Sequence, residues 1–282
     1  MRARLLALAL LAALAGCSSS QAPAPSAPEP AATPAAPGPA TSTPAPANAT
    51  GGQETTSVDA EPGDKSSAAL EKVVQLPPAA QLPAGRWTAG TNYKVVSPAQ
   101  PTDVGAGKVE VVEIFWYACP HCYALEPYLE AWLKKKPPYV EFVRVPVMWG
   151  PIHRAHAQLY YTLQALGKLD ALHERAFNDV HHLVEQQQLP LVAPGDDTET
   201  LRMMTGWAKS NGISPKDFTD AWNSFSVNKD LQYAEEVTRR YRVEGVPLVV
   251  INGKYTSDVG MAGGPDKLVS LIDDLVASEK RR

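Results

Sequence analysis

The residues with the clearest chemistry are two cysteines separated by two residues, in the segment Cys119-Pro120-His121-Cys122. They follow a run of apolar, β-branched and aromatic residues that predicts a buried strand, and Pro120 is tolerated in the first turn of a helix. Cysteines at this spacing can face each other across that turn and close a small disulfide ring. The unpaired N–H groups and partial positive charge of a helix N-terminus stabilise a thiolate and lower its pKa. We therefore predict that Cys119 is the exposed attacking sulfur and that Cys122 is its more buried partner.

A stabilised thiolate also sets the direction of the chemistry. It favours the reduced form of the cysteine pair, so the disulfide form becomes a strong oxidant of other thiols. His121 adds a second positive or hydrogen-bonding group beside the attacking sulfur. The pattern therefore predicts a redox-active Cys119–Cys122 disulfide that is passed on to other molecules.

Two other uses of the pair remain open at this point: an inert structural disulfide and half of a metal site. A metal site needs further soft ligands, and the sequence has one other cysteine, Cys17. Four histidines could contribute, but all are explained more simply as solvated residues of helices: His153, His156, His181 and His182. We therefore expect no bound metal.

The spacing of apolar residues predicts an α/β fold around the cysteine pair. Strands are predicted at residues 93–96, 109–117, 140–147 and 247–251, and Asn252-Gly253 predicts a tight hairpin into residues 254–255. Helices are predicted at residues 120–135, 156–166, 170–184, 198–211, 215–224, 228–241 and 265–278. The strands on either side of the first helix should be parallel, and five consecutive helices then precede the last strands.

The first 17 residues predict an export signal that ends in a lipidation site. A positive start is followed by an apolar run at residues 5–15, which is too short to span a bilayer. Leu14-Ala15-Gly16-Cys17 resembles a bacterial lipobox, which implies that Cys17 is acylated and becomes the mature N-terminus. The alternative is ordinary cleavage after Ala15, which would leave Cys17 as an unpaired thiol. Ser18 lacks the acidic character associated with inner-membrane retention, so the resemblance favours the outer membrane.

Residues 18–86 predict a linker between this anchor and a folded domain at residues 87–282. The segment is mostly Ala, Pro, Ser, Thr and Gly, and it cannot bury enough apolar surface to offset the entropy of ordering. Its proline content makes it semi-extended. The formal net charge of −4 gives no basic face for nucleic acid, so we expect no nucleic-acid partner.

The motifs resemble those of the DsbA-like thiol:disulfide oxidoreductases. The matching segments are EIFWYACPHCY at residues 113–123, VEGVP at residues 243–247, and Asn252-Gly253-Lys254-Tyr255. The resemblance extends over about residues 90–280. It implies a thioredoxin-like fold with an all-helical domain inserted at about residues 152–242.

The resemblance also implies a role for the segment before the last strands. In the family, the proline that matches Pro247 follows a cis peptide bond and lies beside the disulfide. That geometry would let the Val246 backbone pair with a bound substrate peptide as an added strand. The alternative is a trans proline that simply opens a strand.

Two acids gain roles in the same way. Glu113 matches the family's buried acid, placed to exchange protons with Cys122, although an ordinary solvated charge such as we expect for Glu110 is the alternative. Glu126 matches an acid one helical turn beyond Cys122, and a plain surface residue is almost as good an interpretation. The basic partner of these acids is not evident in the sequence, where Arg144 is the nearest candidate.

The resemblance implies a monomeric periplasmic enzyme that oxidises thiols of unfolded exported proteins and needs no external cofactor. A membrane oxidase of the DsbB type would reoxidise it. Two alternatives stay open: a disulfide isomerase or reductase of the same fold, and a tethered peptide-binding chaperone that uses the groove around Pro247. The linker supplies no dimerisation region of the kind that isomerases carry, and thioredoxin-type reductants usually have Gly-Pro between their cysteines, where this chain has Pro-His.

Overall fold

The computed structural model of the protein describes residues 82–280. The predicted signal peptide, its Cys17 and most of the predicted linker lie outside these residues. Contacts with the folded core begin before residue 87, because Leu82 packs against it and Arg86 pairs with Asp274 at 2.8 Å.

A mixed sheet positions the cysteine pair. Its strands are β1 (Lys94–Val95), β2 (Val109–Phe115), β3 (Val140–Pro146), β4 (Leu248–Ile251) and β5 (Tyr255–Ser257), and within the described residues they lie in the order β1-β5-β4-β2-β3. β2 and β3 run parallel, as predicted, whereas β4 is antiparallel to both β2 and β5. β2 therefore lies between two partners and carries the chain to the site.

Every residue of β2 is buried, which confirms the prediction of a strand covered on both faces. The strand nevertheless contains two acids, Glu110 and Glu113. The expectation that Glu110 is a solvated charge is wrong, since its side chain is buried and accepts a hydrogen bond from the Asp103 N–H at 3.1 Å. That bond partly offsets the cost of removing the carboxylate from water.

Helices cover both faces of the sheet. They are α1 (Pro120–Leu133), α2 (Pro151–Ala165), α3 (Leu169–Glu185), α4 (Asp197–Ser210), α5 (Pro215–Trp222), α6 (Phe225–Arg240), α7 (Val259–Ala262) and α8 (Pro265–Lys280). Helices α2 to α6 form the predicted insertion between β3 and β4. One apolar cluster joins the insertion to one side of the sheet, and a second cluster packs α8 and part of α1 against the other side.

The predicted hairpin at Asn252-Gly253 is present. Both residues have positive φ, 51° and 65°, and the Lys254 N–H bonds to the Ile251 carbonyl at 3.0 Å. Glycine is also required at position 253 for steric reasons, because a Cβ there would clash with the Gln100 carbonyl oxygen. The hairpin fixes the register in which β4 meets β5.

The short helix α7 was not predicted from the sequence. Asp258 caps it by accepting the Met261 N–H at 2.8 Å, and Gly263 ends it with φ of 86°. None of the helices among residues 82–280 combines the length and apolar character that crossing a bilayer requires.

Candidate functional site

The cysteine pair lies at the N-terminus of α1, shortly after the end of β2. Cys119 is the N-cap of α1, and its Sγ accepts a hydrogen bond from the Cys122 N–H at 3.4 Å. Pro120 and His121 follow in the first turn and are exposed, and both cysteines are thiols in the structure. The helix N-terminus therefore directs its unpaired N–H groups at the first sulfur, as the spacing predicted.

The two sulfurs differ in exposure in the predicted order but less than expected. Cys119 is 7% exposed and Cys122 is fully buried. The expectation of an openly exposed Cys119 needs correction, because its sulfur lies 3.3 Å from the Val246 carbonyl oxygen, to which it donates when protonated. The covering residue comes from a segment more than a hundred positions away, which local sequence could not reveal.

Their environments move the two thiol pKa values in opposite directions. Hydrogen bonding from the Cys122 thiol lowers the pKa of Cys119 to about 6 against the effect of burial, and the backbone N–H groups of Cys122 and His121 and the charge of His121 lower it further. For Cys122, burial, the hydrogen bond to Cys119 and the negative charge of Cys119 raise the pKa far above the usual value, and Glu113 raises it further when it is ionised. One thiol is therefore an anion at neutral pH and the other keeps its proton.

The Val246–Pro247 peptide bond is cis, as predicted. Pro247 is buried directly before β4, and Val246 is half-buried. A groove of about 630 Å³ runs past this segment, and its lining includes His121, Gly245, Val246 and Pro247. An extended peptide in this groove would pass beside Cys119.

A buried cluster of charges lies behind Cys122, and Arg144 of β3 is its centre. The guanidinium donates from Nε to Glu113 Oε2 at 3.1 Å and from Nη2 to Glu126 Oε2 at 3.0 Å and Glu130 Oε1 at 2.9 Å. Glu113 is fully buried and Glu126 nearly so, whereas the Glu130 side chain is 46% exposed. Arg144 is thus the basic partner that the sequence left open, and Glu126 is not a surface residue.

Arg144 lowers the pKa of both buried acids, yet their net pKa shifts are opposite. Burial and the negative charge of Glu126 raise the pKa of Glu113 to about 8, although Arg144 opposes the shift. Burial also acts against ionisation of Glu126, but the hydrogen bond from His173 and the charge of Arg144 outweigh it and lower its pKa. At neutral pH the proton therefore resides on Glu113, the acid that interacts electrostatically with Cys122.

Comparison with known proteins gives a consistent answer. A family model described as a DSBA-like thioredoxin domain matches residues 110–275. The thiol:disulfide interchange protein DsbA of Pseudomonas aeruginosa is 36% identical over 194 residues, covering 69% of this chain and 86% of that protein. The DsbA of Bordetella pertussis is 31% identical over 217 residues, covering 77% of this chain and 95% of that protein.

The chain belongs to the DsbA-like thioredoxin family.

Solved structures agree with this assignment. The crystal structure of Pseudomonas aeruginosa DsbA superposes with a TM-score of 0.62 at 35% identity, covering 70% of this chain and 97% of that one. The oxidoreductase DsbA from Xylella fastidiosa gives the same TM-score at 26% identity and is covered completely. This DsbA-like chain is a protein-disulfide oxidoreductase with a thioredoxin-like fold and a helical insertion.

Two residues of this DsbA-like site carried no signal in the sequence. His173 of α3 places Nε2 at 3.3 Å from Glu126 Oε1, and its Nδ1 lies 2.9 Å from the Tyr117 hydroxyl. Both side chains are buried, between β2 and the helical insertion. A histidine on an amphipathic helix and a tyrosine in an apolar strand are each ordinary core residues until the fold brings them together.

The expectation that the other histidines are solvated is wrong for two of them. His156 is buried and bonds through Nε2 to the Pro190 carbonyl at 2.7 Å, and burial lowers its pKa to about 4. His181 stacks on Tyr123 with ring centroids 4.3 Å apart. His153 is half-buried against Trp116, whereas His182 is exposed as expected. Among the described residues no group of three potential metal ligands is present.

Proposed function

We propose that this DsbA-like oxidoreductase introduces disulfide bonds into exported proteins through Cys119 and Cys122. The observation that carries the proposal is the opposite behaviour of two thiols in one motif. Cys119 is stabilised as a thiolate at the N-terminus of α1, whereas Cys122 is buried and protonated. A pair of this kind favours its dithiol form and gives up its disulfide readily.

The reaction has two exchange steps. A thiolate of the client attacks Cys119 Sγ, the Cys119–Cys122 bond breaks, and a mixed disulfide joins the client to Cys119. A second client thiolate then attacks the client sulfur of that bond, and Cys119 leaves as a thiolate. The client has lost two electrons and two protons to form its disulfide, and the enzyme has become a dithiol.

Glu113 supplies the proton that the first step requires. Cys122 is a poor leaving group as a thiolate, since its environment raises its pKa. Glu113 is protonated at neutral pH and interacts electrostatically with Cys122, so its proton can neutralise the Cys122 sulfur as that sulfur leaves. Glu113 becomes a carboxylate that faces the Arg144 guanidinium. In the reverse direction the Glu113 carboxylate accepts the proton when Cys122 attacks.

The segment at Val246 and Pro247 positions the client. Its backbone borders the groove beside Cys119, where an extended client chain would pair as an added strand with little dependence on its sequence. Such pairing suits an enzyme that acts on many unfolded chains.

The setting of the reaction is also proposed. Residues 1–17 direct export to the periplasm, Cys17 carries the lipid anchor, with the outer membrane as its address, and residues 18–86 tether the catalytic domain. A membrane oxidase of the DsbB type accepts two electrons from the reduced pair and restores the disulfide. The enzyme acts as a monomer and binds neither metal nor nucleic acid.

The redox equilibrium of the purified chain with glutathione tests the redox part of this proposal. We expect a reduction potential well above the value of about −270 mV that is typical of thioredoxin, because the Cys119 thiolate stabilises the dithiol form. A thioredoxin-like potential would identify a reductant instead. Lipidation is tested separately by labelling with a radioactive fatty acid: Cys17→Ser should lose the label, and a labelled variant would contradict the anchor.

A further inference from the structure

We propose that His173 and Tyr117 are positioning residues that determine which of the two buried acids, Glu113 or Glu126, holds the proton next to Cys122. The inference rests on the proposed role of Glu113 as the acid that protonates Cys122. It extends that role to a pair of residues outside the cysteine motif.

Only one assignment of protons is consistent with the hydrogen bonds that link Tyr117, His173 and Glu126. Glu126 faces the Arg144 guanidinium at 3.0 Å and is ionised, so it can only accept from His173 Nε2, which must then carry hydrogen. Burial lowers the pKa of His173, so the ring is neutral and its Nδ1 has no proton. The Tyr117 hydroxyl at 2.9 Å is therefore the donor to Nδ1.

The donation from Tyr117 to His173 and from His173 to Glu126 also affects the protonation of Glu113. By donating to Nδ1, Tyr117 holds His173 in the tautomer that donates to Glu126, and this donation keeps Glu126 ionised. The negative charge of Glu126 then raises the pKa of Glu113, second only to burial. The proton stays on the acid that interacts with Cys122, although that acid lies 3.1 Å from a guanidinium nitrogen.

Among the described residues, Glu126 accepts one hydrogen bond from His173 Nε2 and one from Arg144 Nη2. The His173 ring packs edge-on against two aromatic rings: its centroid lies 5.4 Å from that of Phe115 and 5.1 Å from that of Phe177. The titratable or charged groups that interact with the two acids within the described residues come from α1, β3, α2, α3 and the segment between β2 and α1, and they are Tyr117, Cys122, Glu130, Arg144, Tyr160 and His173. Asp170 interacts with Tyr160. Arg144 contacts both acids and so cannot by itself decide between them.

Loss of the His173 hydrogen-bond donor should shift the proton from Glu113 towards Glu126. In His173→Phe, Glu126 has lost a hydrogen bond to its charged form, so it takes up a proton at higher pH and Glu113 ionises at lower pH. Phe fits the aromatic surroundings and so tests the hydrogen bonds rather than the packing. His173→Gln can accept from Tyr117 and donate to Glu126, so it should restore the original order.

Carboxyl titration followed by NMR of protein labelled with ¹³C at the glutamate side chains tests the inference directly. We expect Glu113 to titrate near pH 8 in the wild type, and we expect the two titrations to approach each other or change order in His173→Phe. Tyr117→Phe should cause a smaller shift in the same direction, and it is the variant to use if His173→Phe does not fold. His156→Phe is the matched control, because His156 is also buried but bonds to the Pro190 carbonyl. Unchanged titrations of both acids in His173→Phe and Tyr117→Phe would overturn the inference.

The rate at which a client thiol opens the Cys119–Cys122 disulfide gives the second readout. At pH 7 we expect His173→Phe to slow this step by about tenfold or more, and the pH profile should shift to lower pH. Glu113→Gln should slow it as well, and adding His173→Phe to Glu113→Gln should have no further effect. An unchanged rate in Glu113→Gln would remove the proposed catalytic role of Glu113, whereas the titrations would still decide whether His173 places the proton. A further tenfold loss in the double variant would show that His173 acts by another route and would contradict the inference.

Discussion

The two sides of helix α1 show how one motif holds two different kinds of sulfur. At the front, Cys119 meets backbone N–H groups, the Cys122 thiol and the exposed His121, all of which favour an anion. At the back, burial, the hydrogen bond to Cys119 and the negative charge of Cys119 favour a proton on Cys122. The residue type is the same, and less than one helical turn separates the two positions.

The two sides of α1 differ because they are built from different parts of the chain. The front is built almost entirely by residues 119–122 and the helix that they begin. The back is assembled from β2, β3, α1 and α3, which contribute Glu113, Arg144, Glu126 and His173. Changes at the front should alter the reactivity of the thiolate, and changes at the back should alter proton supply and stability.

Serine substitutions give the largest expected contrast between the two sides. Cys119→Ser removes the attacked sulfur, so dithiol oxidation should fall to the uncatalysed background. Cys122→Ser retains the Cys119 thiolate, which can attack a disulfide of a client protein and expel one client thiolate. The resulting mixed disulfides should accumulate and be visible on non-reducing gels. Residual turnover by Cys119→Ser, or trapping by that variant instead of Cys122→Ser, would reverse the assignment of the two sulfurs.

Glu113→Gln should change the dependence of stability on pH. The folded protein raises the pKa of Glu113 to about 8 from an ordinary value of 4.5, so its contribution to stability is fully present below pH 4.5 and is lost as pH rises through 8. The variant lacks this loss, so from pH 4.5 to pH 9 it should gain on the wild type by a few kcal/mol, on the order of one per pH unit.

Urea unfolding of both proteins across that pH range measures the effect. Glu141→Gln on β3 is the control, because this acid is exposed and lies opposite Lys108 at the surface. It should reproduce the wild-type profile. A Glu113→Gln profile parallel to that of the wild type would mean that Glu113 is ionised throughout.

The front of the helix should give the opposite sign. The pKa of Cys119 is lowered to about 6 from an ordinary value of 9, so its stabilisation of the reduced protein is fully present above pH 9 and is lost as pH falls through 6. Between pH 6 and pH 8 the reduced form should gain about 2 kcal/mol on the oxidised form. Unfolding of both forms at several pH values checks this, and a flat difference would show that Cys119 is protonated.

His121→Ala should have the smallest effect. The charge of His121 is the weakest of the influences that lower the pKa of Cys119, so the variant should raise that pKa by about one unit or less. The rate of alkylation by iodoacetamide as a function of pH measures the change. Glu113 should titrate as in the wild type, and a shift of that acid would mean that the two sides are coupled through the helix.

Most of the front could be predicted from the sequence because its causes are local. The apolar run before Cys119, the position of Pro120 and the spacing to Cys122 identify a strand, a helix start and a capped thiolate without any distant contact. The Asn252-Gly253 hairpin is local in the same sense. The exposure of Cys119 was overestimated because Val246, which covers it, lies 127 positions further along the chain.

The back could be predicted only where a family resemblance supplied it. Glu113 stood out as an acid in an apolar strand, but Arg144, Glu126 and His173 are unremarkable on their own elements. Their pairing is set by how β3 lies beside β2 and how α3 packs over both, and hydrophobic spacing does not encode that packing. The burial of His156 and Glu110 was missed for the same reason.

The pairing of β2 with β4 joins residues 109–115 to residues 248–251, so the middle of the sheet closes late. A chain that emerges N-terminus first therefore displays Cys119 and Cys122 before the strand that completes their surroundings has been made. During that interval the protein is itself an unfolded polypeptide with two free thiols. On the function proposed above, each new copy is thus expected to be a substrate for mature copies before it becomes a catalyst.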